Sequence, residues 1–432
     1  MVQLSGTTPA SDSAPGRHGA SLAILALIFF MWGFITVLND VLVPHLRSVF
    51  ALSYTEATMI QFVFFGTYFL AALPSAAILE KLGYKRSIAG GLFTTAVGAL
   101  LFLPSATLPS YGLFLCGLFI LASGITMLQV AANPYVSMLG PPATASSRLN
   151  LVQAFNSLGT TVAPFFGGML ILANSTSGTS EAGRVLTHAE RLQDALAVRE
   201  PYAGIAAVLV LLGLLILAWN FPRVGARNAA TTVAGPSLLR EKRLLLGIGA
   251  IFFYVGAEIA VGTFLINYIS SPHVVPMTHS EAAFYVSLFW GGAMTGRFIG
   301  AGLMRRVLPS LLLGSAAIGG AMLLGTTILS AGWLALWAVI LVGLMNSIMF
   351  PTIFTLSIEG LGDRTARASA YLIMAIVGGA LVPLLQGVVA DAMGLAASFV
   401  VPLICYFYVA AFAFHCRRHP VSGDRDMQGA VA

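Results

Sequence analysis

Charge is scarce in this sequence. Asp, Glu, Lys and Arg together make up 9% of its 432 residues, whereas a soluble globular domain carries about 25%. A soluble chain this long needs far more polar surface to cover itself, so a soluble fold is excluded and an integral membrane protein is expected. Cysteine is scarcer still. Cys116, Cys405 and Cys416 match no metal-binding spacing, and the first two fall inside apolar runs, where they read as small buried hydrophobes. Cys416, next to Arg417, is a candidate lipidation site. The seven histidines include none paired at ligand spacing on one apolar run. No metal, cofactor or catalytic constellation is expected, and an enzyme is not the expected class. The net charge of +6 comes from basic residues scattered between apolar runs rather than gathered in a patch, which excludes a nucleic-acid partner.

What the sequence has in quantity is apolar length: 58% of its residues are hydrophobic. A bilayer core of about 30 Å takes roughly 20 apolar residues per helix. Twelve such runs lie near 21–48, 54–80, 87–106, 109–139, 146–173, 202–221, 244–270, 280–304, 310–330, 333–358, 369–393 and 395–415. The first is too long for a signal-peptide core and lacks a clear cleavage site, so it is read as a retained span. With the N-terminus in the cytoplasm, 17 of the 22 Lys and Arg residues fall on the inner side and four on the outer. That asymmetry supports cytoplasmic termini and an even number of spans. The expected organisation is a Ser/Pro/Gly-rich disordered tail (1–18), a six-helix bundle (19–221), a basic cytoplasmic linker (222–243), a second six-helix bundle (244–416) and a short tail (417–432).

Shifting the sequence by 219 residues aligns Gly83 with Gly302 and Arg86 with Arg305. It also aligns Arg148 with Arg367, Gly159 with Gly378, Pro164 with Pro383 and Gly168 with Gly387. One frame serving separate regions is evidence of duplication. Each copy holds six spans, so both face the same way. Parallel repeats of this kind place substrate near the membrane midplane between the halves, which rock about it in alternating access. At the same offset Gln153 meets Leu372 and Asn156 meets Ala375. A cavity polar on its first half and more apolar on its second is therefore expected. Asn39 meets Glu258, so that position is polar in both copies.

Ionisable groups deep in a bilayer are costly and mark functional sites. Asp40, Glu258 and Arg297 lie in mid-span, with Glu80 near the inner end of span two. Asp40 is a candidate coupling carboxylate, able to take up and release a cation between states; the other reading is a structural carboxylate paired to Arg297. Pro44 deprives the Asp40 carbonyl of its helical partner. Gln129 and Asn133 share one helix face, as do Gln153, Asn156 and Thr160. Amides offer donors and acceptors together, which suits sugar hydroxyls; the other reading is glue between helices. Glu258 is either a second polar wall of the cavity or the partner of Arg297. Asn267 lies further out on the same span, and Phe264, Tyr268 and Trp290 are candidate rings for stacking on a sugar.

The stretches "LNDVLVPHL", "AANPYVSMLG", "RLNLVQAFNSLG" and "FPTIFTLSIEGLG" together resemble the fucose–galactose–glucose:proton symporters of the major facilitator superfamily, from about residue 25 to 415. "KLGYKRS", preceded by Glu80, is similar to a degenerate form of the superfamily's loop motif. The resemblance implies monosaccharide uptake across a bacterial inner membrane by a functional monomer, driven by a cation gradient. H+ is the implied ion, with Na+ as the alternative. It assigns Asp40 to coupling. A glutamate that the fucose permease uses stands here as Gln129, in "QVAANP", and the permease's "YVGAQ" is "YVGAE" here, ending on Glu258. That pattern is closer to the glucose/galactose branch. The implied function is import of an aldohexose with Asp40 and Glu258 as coupling groups. Asn39, Gln129, Asn133, Gln153, Asn156, Glu258 and Asn267 are the implied substrate contacts, and Arg297 and Glu80 the charge-pairing residues. A fucose-type symporter or a proton antiporter exporting another compound are the competing readings.

Overall fold

A computed structural model describes the backbone of residues 15–50, 54–107, 110–170, 199–222 and 238–420. Residues 15–18 of the expected N-terminal tail already belong to the first helix, while residues 1–14 of that tail, most of the linker, residues 171–198 and most of the C-terminal tail lie outside the described residues. So do the side chains of residues 39–58, which include Asn39, Asp40 and Pro44.

The described chain is helical. Its helices are α1 (Pro15–Phe50), α2 (Tyr54–Thr107), α3 (Tyr111–Met138), α4 (Ala145–Leu170), α5 (Arg199–Ala218), α6 (Lys242–Ile269) and α7 (His279–Leu303). They continue as α8 (Pro309–Leu329), α9 (Gly332–Asn346), α10 (Met349–Ile358), α11 (Thr365–Met374), α12 (Gly378–Met393), α13 (Leu395–Ser398) and α14 (Val400–Arg418). Nine described stretches are long and apolar enough to cross a membrane. One of them, Met59–Pro104, has 46 residues. At 1.5 Å per residue that is about 69 Å, enough for two crossings. Gly83, at φ 77°, breaks it where the sequence placed the end of span two. A positive φ is open to glycine without the Cβ penalty that other residues meet.

Lipid supplies no hydrogen bonds, so these helices satisfy their own polar groups. Hydroxyls turn back onto the carbonyl one turn earlier: Thr67 donates to Val63, Thr126 to Ala122 and Ser357 to Ile353. Large apolar side chains such as Leu211, Leu329 and Met393 face outward, as a lipid-solvated surface requires.

Glycine controls where helices touch. A Cβ at Gly159 on α4 would collide with the Phe30 carbonyl of α1, and one at Gly378 on α12 with the Phe252 carbonyl of α6. These two glycines are partners at the 219-residue offset. Each lets two backbones meet at a distance that a side chain forbids. The repeat read from sequence thus reappears as equivalent helix pairs, α1–α4 and α6–α12. The two sets of helices meet through α4 against α7 and α2 against α11, again equivalent by the repeat.

Candidate transport site

Two helices of the second half bring the mid-span charges together. Glu258 on α6 and Arg297 on α7 stand 3.9 Å apart, with side chains 14% and 12% exposed. Arg297 also uses its other nitrogens. Its Nε donates to the Ser347 carbonyl at 3.0 Å. Ser347 lies in the break between α9 and α10. Pro351, four residues on, has no N–H to give that carbonyl, so the guanidinium replaces the missing helical donor. Nη1 crosses to the first half, where it donates to the Gln153 carbonyl at 3.4 Å and to the Ser157 hydroxyl. Tyr254, one turn before Glu258, donates to the Asn346 carbonyl at 3.1 Å, and Tyr406 donates to the Asn346 side-chain oxygen. The second half was expected to be the more apolar. Leu372 and Ala375 are indeed buried and apolar, but polarity arrives from α6, α7 and the α9–α10 break instead.

The predicted amides converge on the first half. Gln129 donates to the Tyr68 hydroxyl at 3.0 Å, and Gln153 donates to the Asn133 side-chain oxygen at 3.4 Å. All three amides are buried. The Gln129 side-chain oxygen and the Asn133 side-chain nitrogen have no hydrogen-bond partner among the described residues. This leaves one acceptor and one donor uncommitted in a buried, polar spot. Asn156 is committed: its amide donates to the Phe29 carbonyl at 2.9 Å, tying α4 to α1. Asn267 is not brought to this group. It is exposed, nine residues beyond Glu258. Nine residues turn a helix by about 180° and advance it about 13.5 Å. Tyr268 anchors its helix by donating to the Thr327 carbonyl at 2.6 Å, and packs on Phe399.

Below Arg297, toward the end carrying most of the basic residues, further polar contacts cross between the halves. Asn150 donates to the Thr352 hydroxyl at 3.3 Å, and Ser369 to the Val130 carbonyl at 2.9 Å. Ser146 and Thr355 share a hydrogen bond of 2.6 Å, and Ser147 donates to the Ala301 carbonyl at 2.6 Å. At the rim Glu80 pairs with Arg367 at 2.9 Å. The halves are therefore joined at the basic end. Glu80 and Arg297 hold different partners rather than one another. Sequence reasoning passed over the hydroxyls of this seal. Their one signal is the run of small polar residues in "TASSRLN", where an apolar span should begin. Arg148, the repeat partner of Arg367, makes no cross-half pair among the described residues. It closes the end of α3 by donating to the carbonyls of Ser137, at 2.6 Å, and Pro141, at 2.8 Å.

Comparisons with known proteins agree with this architecture. Residues 22–375 match the Major Facilitator Superfamily. The chain is 48% identical over 401 residues to a glucose/galactose transporter of Brucella abortus, covering 93% of this chain and 95% of the relative. It is 44% identical to a putative glucose/galactose transporter of Helicobacter pylori over 91% of this chain and 96% of the other. Identity to the L-fucose-proton symporter of Escherichia coli is 35%, over 90% and 92% of the two chains. A crystal structure of the superfamily transporter FucP in the outward conformation superposes with a TM-score of 0.85 at 34% identity, covering 92% of this chain and 99% of that one. A proton:xylose symporter, XylE, shares the fold at a TM-score of 0.70 with 12% identity, over 93% and 96% of the two chains.

Proposed function

The chain belongs to the Major Facilitator Superfamily, and from that premise we propose that it imports an aldohexose, glucose or galactose, by proton symport. It is a secondary active transporter of a bacterial inner membrane, not an enzyme, and it works by alternating access. The observation that carries the sugar reading is the buried amide group of Gln129, Asn133 and Gln153, with an acceptor and a donor left open. A hydroxyl both gives and takes a hydrogen bond, so sugar hydroxyls match the hydrogen-bonding chemistry of these two atoms. The glucose/galactose relatives support the choice of hexose.

Asp40 and Glu258 are the proposed coupling carboxylates. Glu258 stands beside a cation that also grips the opposite half, so a change in its charge acts on both halves at once. Asn39, on α1, is a further proposed substrate contact. In this reading twelve helices form two six-helix halves, the termini and the basic end lie in the cytoplasm, and the protein works as a monomer in the bilayer. The structure then stands closed toward the cytoplasm, the arrangement from which external sugar is collected.

Counterflow in proteoliposomes loaded in turn with glucose, galactose, mannose and fructose tests the substrate. Exchange with glucose or galactose is expected, and exchange with none of the four rejects the sugar. Coupling is tested by Asp40→Asn and Glu258→Gln, each compared in gradient-driven uptake and in exchange. Loss of uptake with exchange retained is expected. Unchanged uptake removes that residue from coupling.

A further inference from the structure

We propose that Pro134 and Ser369 form a latch between the two halves, made by a proline in one and a hydroxyl in the other, and that it positions the protein in the state closed at its basic end. A proline in a helix cannot bond the carbonyl four residues earlier. For Pro134 on α3 that carbonyl belongs to Val130. It is buried where water does not reach, and a buried carbonyl without a donor is costly. Ser369 on α11, from the other half, is also fully buried and donates to it at 2.9 Å. Many buried helical hydroxyls in this protein donate to their own helix, as Thr126 and Ser357 do, while Ser147 crosses to the Ala301 carbonyl of the other half. Ser369 also crosses to a different helix in a different half, and its acceptor is a carbonyl that a proline has freed.

The repeat supports the assignment. At the 219-residue offset Ser369 coincides with Asn150 and Pro134 with Ile353. Asn150 also bonds across the halves, donating to Thr352 at 3.3 Å. The same helix position therefore serves as the cross-half contact in both copies. Where the second copy has Ile353 and no freed carbonyl, a longer amide meets a hydroxyl. Where the first copy has Pro134, a short serine suffices. When the basic end opens, Val130 has no helical donor to fall back on, because Pro134 still lacks its N–H. The proline thus raises the cost of parting α3 from α11, and the latch favours the closed state.

The test is made on the purified full chain in lipid nanodiscs, without sugar or gradient, so its outcome is independent of the substrate assignment. Spin labels are placed at Arg86→Cys and Arg305→Cys, repeat-related exposed sites with one in each half, in a Cys116→Ala background. Distances between them report opening of the basic end. Ser369→Ala and Pro134→Ala are each expected to raise the open-to-closed ratio about fivefold, the ratio equivalent to about 1 kcal/mol for one neutral hydrogen bond. The double variant is expected to open no further than either single one, and Ser369→Thr to match the parent. Ser369→Ala is nearly isosteric, so the Ala and Thr comparison stands even if Pro134→Ala fails to fold. A distance distribution unchanged by Ser369→Ala overturns the latch. So does a double variant that multiplies the two effects to about 25-fold, as independent sites do.

Discussion

Replacing Arg297 with methionine removes the positive charge and keeps much of the side-chain volume. The consequences follow from four contacts. Glu258, 3.9 Å away, loses its countercharge. At an effective dielectric constant of about 20, that attraction is about 4 kcal/mol before the desolvation that opposes it. The Ser347 carbonyl, already deprived of a helical donor by Pro351, loses its replacement, and the Gln153 carbonyl and Ser157 hydroxyl lose the link to the other half. Breaking one side of a buried pair costs about 3–5 kcal/mol, because the remaining charge is stranded. Most of that penalty belongs to Glu258, so Arg297→Met combined with Glu258→Gln is expected to be more stable than Arg297→Met alone. Thermal unfolding of the purified variants, in one detergent at one scan rate, measures the order, since irreversible unfolding makes absolute midpoints depend on conditions. The expected ranking is wild type, then Glu258→Gln, then the double variant, then Arg297→Met. A double variant that falls as far as the two single losses added together refutes the pair, and with it the link from Glu258 to the first half.

Three other outcomes are expected. Gly159→Ala and Gly378→Ala each press a methyl group into a backbone carbonyl of the neighbouring helix, costing about 1–3 kcal/mol by overpacking; similar drops in thermal stability for the two are the signature of equivalent helix pairs, and a large drop in one with none in the other contradicts the equivalence. Arg367→Gln removes a rim pair whose side chains are 60% and 37% exposed. It shifts stability by at most about 1 kcal/mol, and the shift vanishes in high salt, as unfolding at two salt concentrations will reveal. Asn156→Ala cuts the bond from α4 to the Phe29 carbonyl, so it lowers stability by about 1 kcal/mol and leaves sugar preference intact, whereas Gln129→Leu alters affinity in counterflow; a change of sugar preference in Asn156→Ala moves that residue into the site.

Proline shows how far a sequence carries. Proline frees the carbonyl four residues before it in any helix, so the rule applies equally to Pro44, Pro134 and Pro351. Sequence reading applied it to Pro44 and the Asp40 carbonyl. The contacts in view lie at the other two, where Ser369 and Arg297 take the freed oxygens of Val130 and Ser347. A rule of the backbone names the acceptor, and says nothing of which donor arrives from another helix.

The sequence by itself determined the solvent, the helices and the duplication. Scarcity of charge, apolar runs of bilayer length and a repeated Gly, Pro and Arg frame are all properties of the chain read along its length. The tertiary structure decided the pairings. Arg297 stands 3.9 Å from Glu258, a neighbour on another helix that no local pattern names, while the Asp40 side chain lies outside the described residues. Asn156, read as a sugar contact or as glue between helices, gives an amide hydrogen to α1. The hydroxyls of "TASSRLN" carry no sign of a partner in the sequence, and they help close the basic end. Each of these choices joins residues tens to hundreds of positions apart, and is settled by which helix faces pack together. Glycines such as Gly159 and Gly378 govern that packing through distances of a few ångströms that no local pattern encodes.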